Sequence, residues 1–153
     1  MTLFWMHLRK DIKKMTKIIF ATGNAGKMRE IRDIMADLDV ELLSMKEAGI
    51  KLDIVEDGKT FEENALIKAR AVSKEAPGAI VMADDSGLEI IALDGRPGIR
   101  SARYCEGTDK DRREKILEEM VSIPEGKRQA AFVCAMALCL PDGSILKTTE
   151  ERW

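Results

Sequence analysis

The segment that most constrains the fold is Ala130 to Leu140 (AAFVCAMALCL), which is apolar at every position. Successive side chains of a β-strand point to opposite faces, so a strand of this composition is buried on both faces. It is therefore expected inside a sheet, with other elements packed above and below it. Pro141-Asp142-Gly143 follows and predicts a turn into a return strand, Ile145 to Thr149.

Short apolar runs and helical periodicities alternate along the rest of the chain. The predicted strands are 17–21, 40–44, 79–83 and 88–93, and the predicted helices are 27–38, 60–76 and 109–121. Asp84-Asp85-Ser86-Gly87 is interpreted as a loop between the last two of these strands. The predicted fold class is therefore α/β, with a mixed β-sheet flanked by helices.

Composition excludes several classes of protein. The 153 residues carry a formal net charge of −2, without the excess of Lys and Arg that marks nucleic-acid binders. The chain has no apolar run near the roughly 18 residues that a membrane span needs. The three cysteines cannot all pair and fit no zinc spacing, so we expect reduced thiols in a cytoplasmic protein. With His7 as the single histidine, a His-based triad or a His-rich metal site is not expected.

The domain is predicted to span residues 16–153, behind an N-terminal extension of residues 1–15. The extension places its apolar residues before its basic ones, which is the reverse of the order in a signal peptide. A second interpretation is a basic amphipathic segment lying on an anionic membrane surface.

The loop Thr22-Gly23-Asn24-Ala25-Gly26-Lys27 joins the first predicted strand to the first predicted helix. A helix start presents free backbone N–H groups and a partial positive charge, and Lys27 adds a full charge, so this loop is a candidate phosphate site. Its glycine spacing is too short for a Walker A loop, and Met28 stands where Ser or Thr would follow the lysine. An ordinary strand-to-helix turn is the alternative.

Asp84 and Asp85 form a second candidate site, between two apolar runs. Adjacent carboxylates are costly to bury unless a cation or hydrogen-bond donors satisfy them. Hard oxygen ligands suit Mg²⁺, which keeps waters and bridges to substrate phosphates. Glu56 or Asp57 of a preceding acidic loop could complete such a site, whereas a solvated turn is the alternative.

Two further segments place positive charge near these candidates. Asn64 and Lys68 are four residues apart and so share one face of a predicted helix. Lys68 is either a second cation facing phosphates or part of an exposed ion pair. Arg96, Arg100 and Arg103 surround a Pro-Gly turn and either clasp phosphate or lie on the surface.

Four segments, in this order and spacing, resemble the inosine/xanthosine triphosphate pyrophosphatases. They are ATGNAGKMREI, EDGKTFEENALIKARA, MADDSGLEIIALDGRPGIRSARY and RQAAFVCAMALCLPDG. The resemblance covers about residues 17–147. It implies Mg²⁺-dependent hydrolysis of dITP, ITP and XTP to the monophosphate and pyrophosphate. It also implies a homodimer and a two-lobed fold with a long mixed sheet and the active site in a cleft.

The resemblance also implies roles for single residues. Thr22 to Lys27 would bind the phosphates, with Ser86 and Lys68 also contacting substrate. Glu56 and Asp85 would bind the metal, and Asp85 would activate the attacking water.

The family also contains elements that we do not find in this sequence. In the family, a Gly-rich region, a Phe-Gly-Tyr-Asp segment, a lysine and a Ser-His-Arg motif follow the hairpin and contact the base. We therefore expect an incomplete domain that holds the phosphate and metal half of the site. Two alternatives are a non-catalytic nucleotide-binding or dimerisation module and a Maf-like pyrophosphatase acting on other nucleotides.

Overall fold

The computed structural model describes residues 16–153, and the predicted extension of residues 1–15 lies outside the described residues. The strands are β1 (Thr16–Phe20), β2 (Val40–Ser44), β3 (Ile80–Ile90), β4 (Ala130–Cys139) and β5 (Ile145–Arg152). The α-helices are α1 (Ala25–Ile34), α2 (Phe61–Glu75) and α3 (Asp109–Glu119). Short 3₁₀ turns cover Ile91–Leu93, Gly98–Arg103 and Glu125–Lys127.

The strands form one sheet in the order β2-β1-β3-β4-β5. β1 is parallel to β2 and β3, whereas β4 is antiparallel to both β3 and β5. The predicted α/β fold with a mixed sheet flanked by helices is therefore confirmed. β1 pairs only with Ile80 to Met82 at the start of β3, so the rest of β3 extends past the end of β1.

The prediction of a loop at Asp84-Asp85-Ser86-Gly87 was wrong, because these residues lie in the middle of one continuous strand, β3. Each of them pairs with β4, from Asp84 opposite Met136 to Gly87 opposite Val133. Pairing along the whole length of β4 outweighs the turn preference of Asp, Ser and Gly. The predicted second strand ends at Ile90, and a 3₁₀ turn follows it.

Helix α2 covers one face of the sheet through a stripe of small residues. Ala65, Ala69 and Val72 are fully buried in one cluster with Val81 and Ala137 of the sheet. Small side chains let the helix approach the sheet closely. Asn64 and Lys68 lie on the same side of α2, one turn apart, and so face the sheet near its polar segment.

β4 is a central strand, as predicted, but only one of its faces is fully buried. Val133, Ala135, Ala137 and Cys139 lie under α2 with almost no exposure. The alternate residues are half-buried, and Phe132 is 45% exposed. The prediction of burial on both faces was therefore wrong for the face opposite α2.

Within residues 16–153, none of the helices is both long enough and apolar enough to cross a membrane.

Candidate active site

A cleft of about 1030 Å³ opens where β3 extends past the end of β1. Ligands of open α/β sheets bind at the carboxyl ends of parallel strands, and the ends of β1 and β2 both line this cleft. Nearly all of the residues selected from the sequence lie in its wall: Thr22, Gly23, Asn24, Ala25, Lys27, Glu56, Lys68, Asp85 and Ser86. Gly26 is not among the lining residues.

Asn24 shapes the predicted phosphate loop by capping α1. Its Oδ1 accepts hydrogen bonds from the backbone N–H groups of Gly26 (2.8 Å) and Lys27 (3.2 Å). Thr22 Oγ1 in turn accepts a hydrogen bond from the Asn24 backbone N–H at 3.1 Å. Two of the N–H groups at the helix start are therefore already bonded within the loop.

Lys27 points from this loop to the buried Asp84. Its Nζ lies 2.6 Å from Asp84 Oδ2, which makes a charge-assisted hydrogen bond between the loop and β3. Asp84 and Asp85 are neighbours on a strand, so their side chains point to opposite faces of the sheet. The two aspartates therefore contact different cations, Lys27 for Asp84 and Lys68 for Asp85.

Asp85 faces α2 and pairs with Lys68. Lys68 Nζ lies 3.4 Å from Asp85 Oδ1 and 3.1 Å from Glu56 Oε2. One ammonium therefore contacts both of the carboxylates that the family resemblance assigns to the metal. Of the two alternatives for Lys68, an exposed ion pair is wrong, since the lysine turns inward to these two acids.

Asn64 was placed beside Lys68 on one helix face from the sequence, but it was assigned no role in the site. It is fully buried; its Nδ2 donates to Asp85 Oδ2 at 3.0 Å, and its Oδ1 accepts from the Gly58 N–H at 2.9 Å. The amide thus ties Asp85 to the loop that carries Glu56. A β-carbon on Gly58 would lie 2.6 Å from Asn64 Oδ1, so glycine is needed for this close approach. The available signal was a polar residue on the apolar stripe of α2, because a buried amide needs partners.

Burial raises the pKa of the Asp85 carboxyl above its ordinary value. Lys68 and the hydrogen bond from Asn64 oppose this rise, whereas the nearby charge of Glu56 adds to it. A carboxylate that is buried, but partly exposed to the cleft, can accept a proton more readily than a surface aspartate.

The charges of this cluster favour a cation. Two carboxylates, Glu56 and Asp85, share one ammonium, and both line the cleft. Carboxylate oxygens are ligands that suit Mg²⁺. The Lys68 ammonium already lies between the two carboxylates, so this space accommodates a positive charge, and the pair fits a divalent cation. Residues 16–153 hold no cluster of three or more His, Cys, Asp or Glu side chains able to bind a metal. Waters or substrate oxygens would therefore complete the coordination.

Among the three arginines near the Pro-Gly turn, Arg103 lines the cleft. Its Nη2 donates to the Glu56 carbonyl oxygen at 3.1 Å, which fixes the acidic loop. Arg96 instead bonds to Tyr104 and Glu119. Ser101 holds the turn against β3, since its Oγ accepts from the Leu88 N–H and donates to the Gly98 carbonyl.

An open mixed sheet with a cleft at the carboxyl ends of its parallel strands defines a class of α/β proteins that bind small ligands there. The Ham1 family model matches residues 18–153, and the chain belongs to this family.

Named relatives agree with this assignment. The chain is 46% identical over 136 residues to a dITP/XTP pyrophosphatase of Clostridium perfringens, covering 84% of this chain and 67% of the relative. It is 47% identical over 131 residues to a dITP/XTP pyrophosphatase of Geobacter sulfurreducens, covering 84% and 65%. The chain thus spans about two thirds of the length of these relatives.

Solved structures show the same fold. The Ham1 protein of Staphylococcus aureus matches with a TM-score of 0.76 and 36% identity, over 90% of this chain and 69% of that one. A Ham1 protein from Coxiella burnetii matches with a TM-score of 0.79 and 36% identity, over 91% and 71%.

Proposed function

We propose that the chain is a Mg²⁺-dependent nucleoside triphosphate pyrophosphatase. It hydrolyses the deaminated purine nucleotides dITP, ITP and XTP to the monophosphate and pyrophosphate. The observation that carries this proposal is the convergence of Glu56, Asp85, Lys68 and Lys27 on one cleft. Relatives at about this similarity bear the name dITP/XTP pyrophosphatase, which supports the substrate class.

Glu56 and Asp85 would hold the metal, because they are the paired carboxylates of the cleft. When bound, Mg²⁺ supplies positive charge that neutralises the triphosphate and polarises its phosphorus–oxygen bonds. Lys27 and the loop Thr22 to Lys27 bind phosphate oxygens from one side of the cleft, and Lys68 binds them from the other. Ser86 contacts the substrate from β3.

In this proposal Asp85 activates the attacking water. Its carboxylate accepts a proton from a water molecule, whose oxygen attacks the α-phosphorus. The bond from the α-phosphorus to the bridging oxygen breaks, and pyrophosphate leaves with that oxygen. Asn64 holds the carboxylate in position throughout, since it bonds to Asp85 Oδ2.

The test measures Mg²⁺-dependent pyrophosphate release from dITP by purified protein. Glu56→Gln and Asp85→Asn are each expected to reduce turnover roughly 100-fold or more, the usual size for a metal ligand or base. Asp57→Asn is the matched control, because Asp57 is exposed and adjacent to Glu56 but does not line the cleft. The proposal fails if the Asp85 variant releases pyrophosphate at the normal rate, or if the control loses as much activity as the variants.

The same assay separates the alternatives. A non-catalytic nucleotide-binding module would bind dITP, which calorimetry would detect, without releasing pyrophosphate. A Maf-like enzyme would prefer dTTP or dUTP to dITP.

The oligomeric state and cellular location are also proposals. We infer a homodimer, because β5 is an edge strand and exposes Leu146 and Trp153. Analytical ultracentrifugation tests this.

The free thiols of Cys105, Cys134 and Cys139 support a reducing compartment, the cytoplasm. The substrate is a small nucleotide, and we propose neither a nucleic-acid nor a membrane partner.

A further inference from the structure

We propose that Lys68 is an internal competitor for the cation that Glu56 and Asp85 bind. A divalent cation entering between the two carboxylates displaces the lysine ammonium and frees it for the phosphates of the nucleotide. This inference rests on the proposed function of the same cleft, and it adds a coupling between metal and nucleotide binding.

The position of the Lys68 ammonium is the first observation. Its Nζ lies 3.1 Å from Glu56 Oε2 and 3.4 Å from Asp85 Oδ1. The side chains of Lys68 and Asp85 are only 13% and 12% exposed, and that of Glu56 is 27% exposed. Water screens such a partly buried group poorly, so the ammonium strongly opposes a second cation there.

Charge balance is the second observation. One ammonium offsets only one of the two carboxylates, whereas a divalent cation offsets both. Two nearby carboxylates with a single positive charge therefore retain an attraction for a cation. The two carboxylates attract a divalent ion, and the repulsion from the ammonium falls once the lysine has moved away.

The third observation concerns which parts of the cluster can move. Asn64 is fully buried and holds Asp85 and the loop that carries Glu56 at the same time. Arg103 also anchors that loop, through the Glu56 carbonyl. The Lys68 ammonium, by contrast, sits on a flexible four-carbon stem. Rotation of that stem moves the charge into the cleft and leaves the carboxylates in place.

This arrangement couples the two ligands. A triphosphate attracts Lys68 away from the carboxylates and so favours the metal, and the metal by displacing Lys68 favours the triphosphate. The coupling free energy is the same in both directions.

The test is a titration of nucleotide-free protein with Mn²⁺, which prefers oxygen ligands as Mg²⁺ does and can be followed by electron paramagnetic resonance. Wild type, Lys68→Met, Lys68→Gln and Lys68→Arg are compared at neutral pH. We expect Mn²⁺ to bind the Met and Gln variants roughly tenfold or more tightly than wild type, because a repelling charge is removed. The Arg variant keeps the charge and is expected to stay near the wild-type affinity. Equal or weaker binding by folded Met and Gln variants would overturn the proposal.

A second measurement uses wild-type protein alone and so does not depend on the folding of a variant. Mg²⁺ added without nucleotide should shift the ¹⁵N resonance of the Lys68 ammonium, and that of Lys74, which is exposed and lies outside the cleft, should not move. An unchanged Lys68 resonance at saturating Mg²⁺ would also overturn the proposal.

Failure of the proposed function can be distinguished from failure of this inference. Tighter Mn²⁺ binding by Lys68→Met, without pyrophosphate release from dITP by wild type, would support the competition and reject the activity. Normal pyrophosphate release with unchanged Mn²⁺ affinity would reject the competition alone.

Discussion

Lys27 and Asp84 illustrate how a single contact can serve both binding and stability. Asp84 is buried, and the ammonium of Lys27 lies 2.6 Å from its carboxylate. A residue chosen for its charge toward phosphate therefore also neutralises a buried acid. Removing that charge is expected to affect the fold as well as nucleotide binding.

We predict that Lys27→Met lowers the free energy of unfolding by about 2 kcal/mol, because it leaves the Asp84 carboxylate buried without its cation. The double variant Lys27→Met with Asp84→Asn should lose less than the sum of the two single losses. Urea denaturation of the four proteins measures this coupling. Strictly additive losses would mean that the pair contributes no interaction.

At this scale the sequence predicted individual residues better than their partners. Glu56, Lys68 and Asp85 were selected from the sequence, and the structure places them in contact. Asn64 and Asp84 were missed as partners, because their contacts join residues far apart in the chain: 21 positions for Asn64 with Asp85 and 57 for Lys27 with Asp84. Local spacing carries no information about such pairs.

At the scale of elements, Gly87 sets how closely β3 meets the 3₁₀ turn Gly98–Arg103. A β-carbon on Gly87 would lie 2.4 Å from the Gly98 carbonyl oxygen and 2.5 Å from Ser101 Oγ. Because Ser101 also bonds to β3 through the Leu88 N–H, the turn cannot move away without losing that bond.

Gly87→Ala is therefore predicted to destabilise the protein by about 3 kcal/mol, the upper range for overpacking. Gly126→Ala is the control, since a β-carbon there meets nothing within 4 Å. Thermal unfolding of both variants tests the prediction. Similar melting temperatures for the two would show that the turn adapts without cost.

Glu47 links the end of α1 to the segment after β2. Three hydrogen bonds to the Glu47 carboxylate lower its pKa to about 2. The bond from the Ser44 backbone N–H has the largest effect, followed by those from Arg32 and from the Ser44 hydroxyl. The folded pKa lies below the unfolded value of 4.5. The stabilising effect is therefore fully present above that unfolded pKa and is lost as the pH falls toward 2.

We predict that Glu47→Gln reduces stability at pH 7 and that the difference from wild type shrinks as the pH is lowered from about 5 toward 2. Urea denaturation across this range measures it, with Glu30→Gln as control, because Glu30 is an exposed acid of α1. A difference that is independent of pH would exclude the ionised carboxylate as its source.

The strands also show where sequence patterns stop being informative. The chain from Ile80 to Ile90 contains turn-forming residues in its centre, and these predicted a break that does not exist. The deciding influence is the partner strand: β4 is ten residues long, and each of its residues pairs with β3. A long apolar strand needs a neighbour of similar length, and that requirement was present in the sequence at Ala130 to Leu140.

At the scale of the whole molecule, the wall of the cleft combines charged and apolar side chains. Lys27 and Lys68 contribute charge, whereas Leu88 and Phe132, paired across β3 and β4, contribute apolar surface. Apolar and aromatic surface can stack on any purine, because every base has a π-face. Strong discrimination between bases requires hydrogen bonds to their edges.

We therefore predict that kcat/KM for dITP and for dATP differs by no more than about tenfold, the low end of the discrimination that apolar contacts provide. Pyrophosphate release with both nucleotides and Mg²⁺ measures the ratio. A preference for dITP of 1,000-fold, far beyond this range, would instead place hydrogen-bonding groups for the base among residues 1–153.

The continuous course of β3 has a consequence for how this sequence can change. Asp84 and Asp85 serve opposite faces of the sheet because successive side chains of a strand point to opposite faces. Inserting or deleting a single residue between Val81 and Asp84 would exchange the two faces for every later side chain, or force a bulge beside the cleft. A substitution in β3 affects one side chain on one face, whereas a change in the length of β3 affects the side chains on both faces. We expect length variation among related sequences to fall instead in segments such as 141–144, outside the sheet.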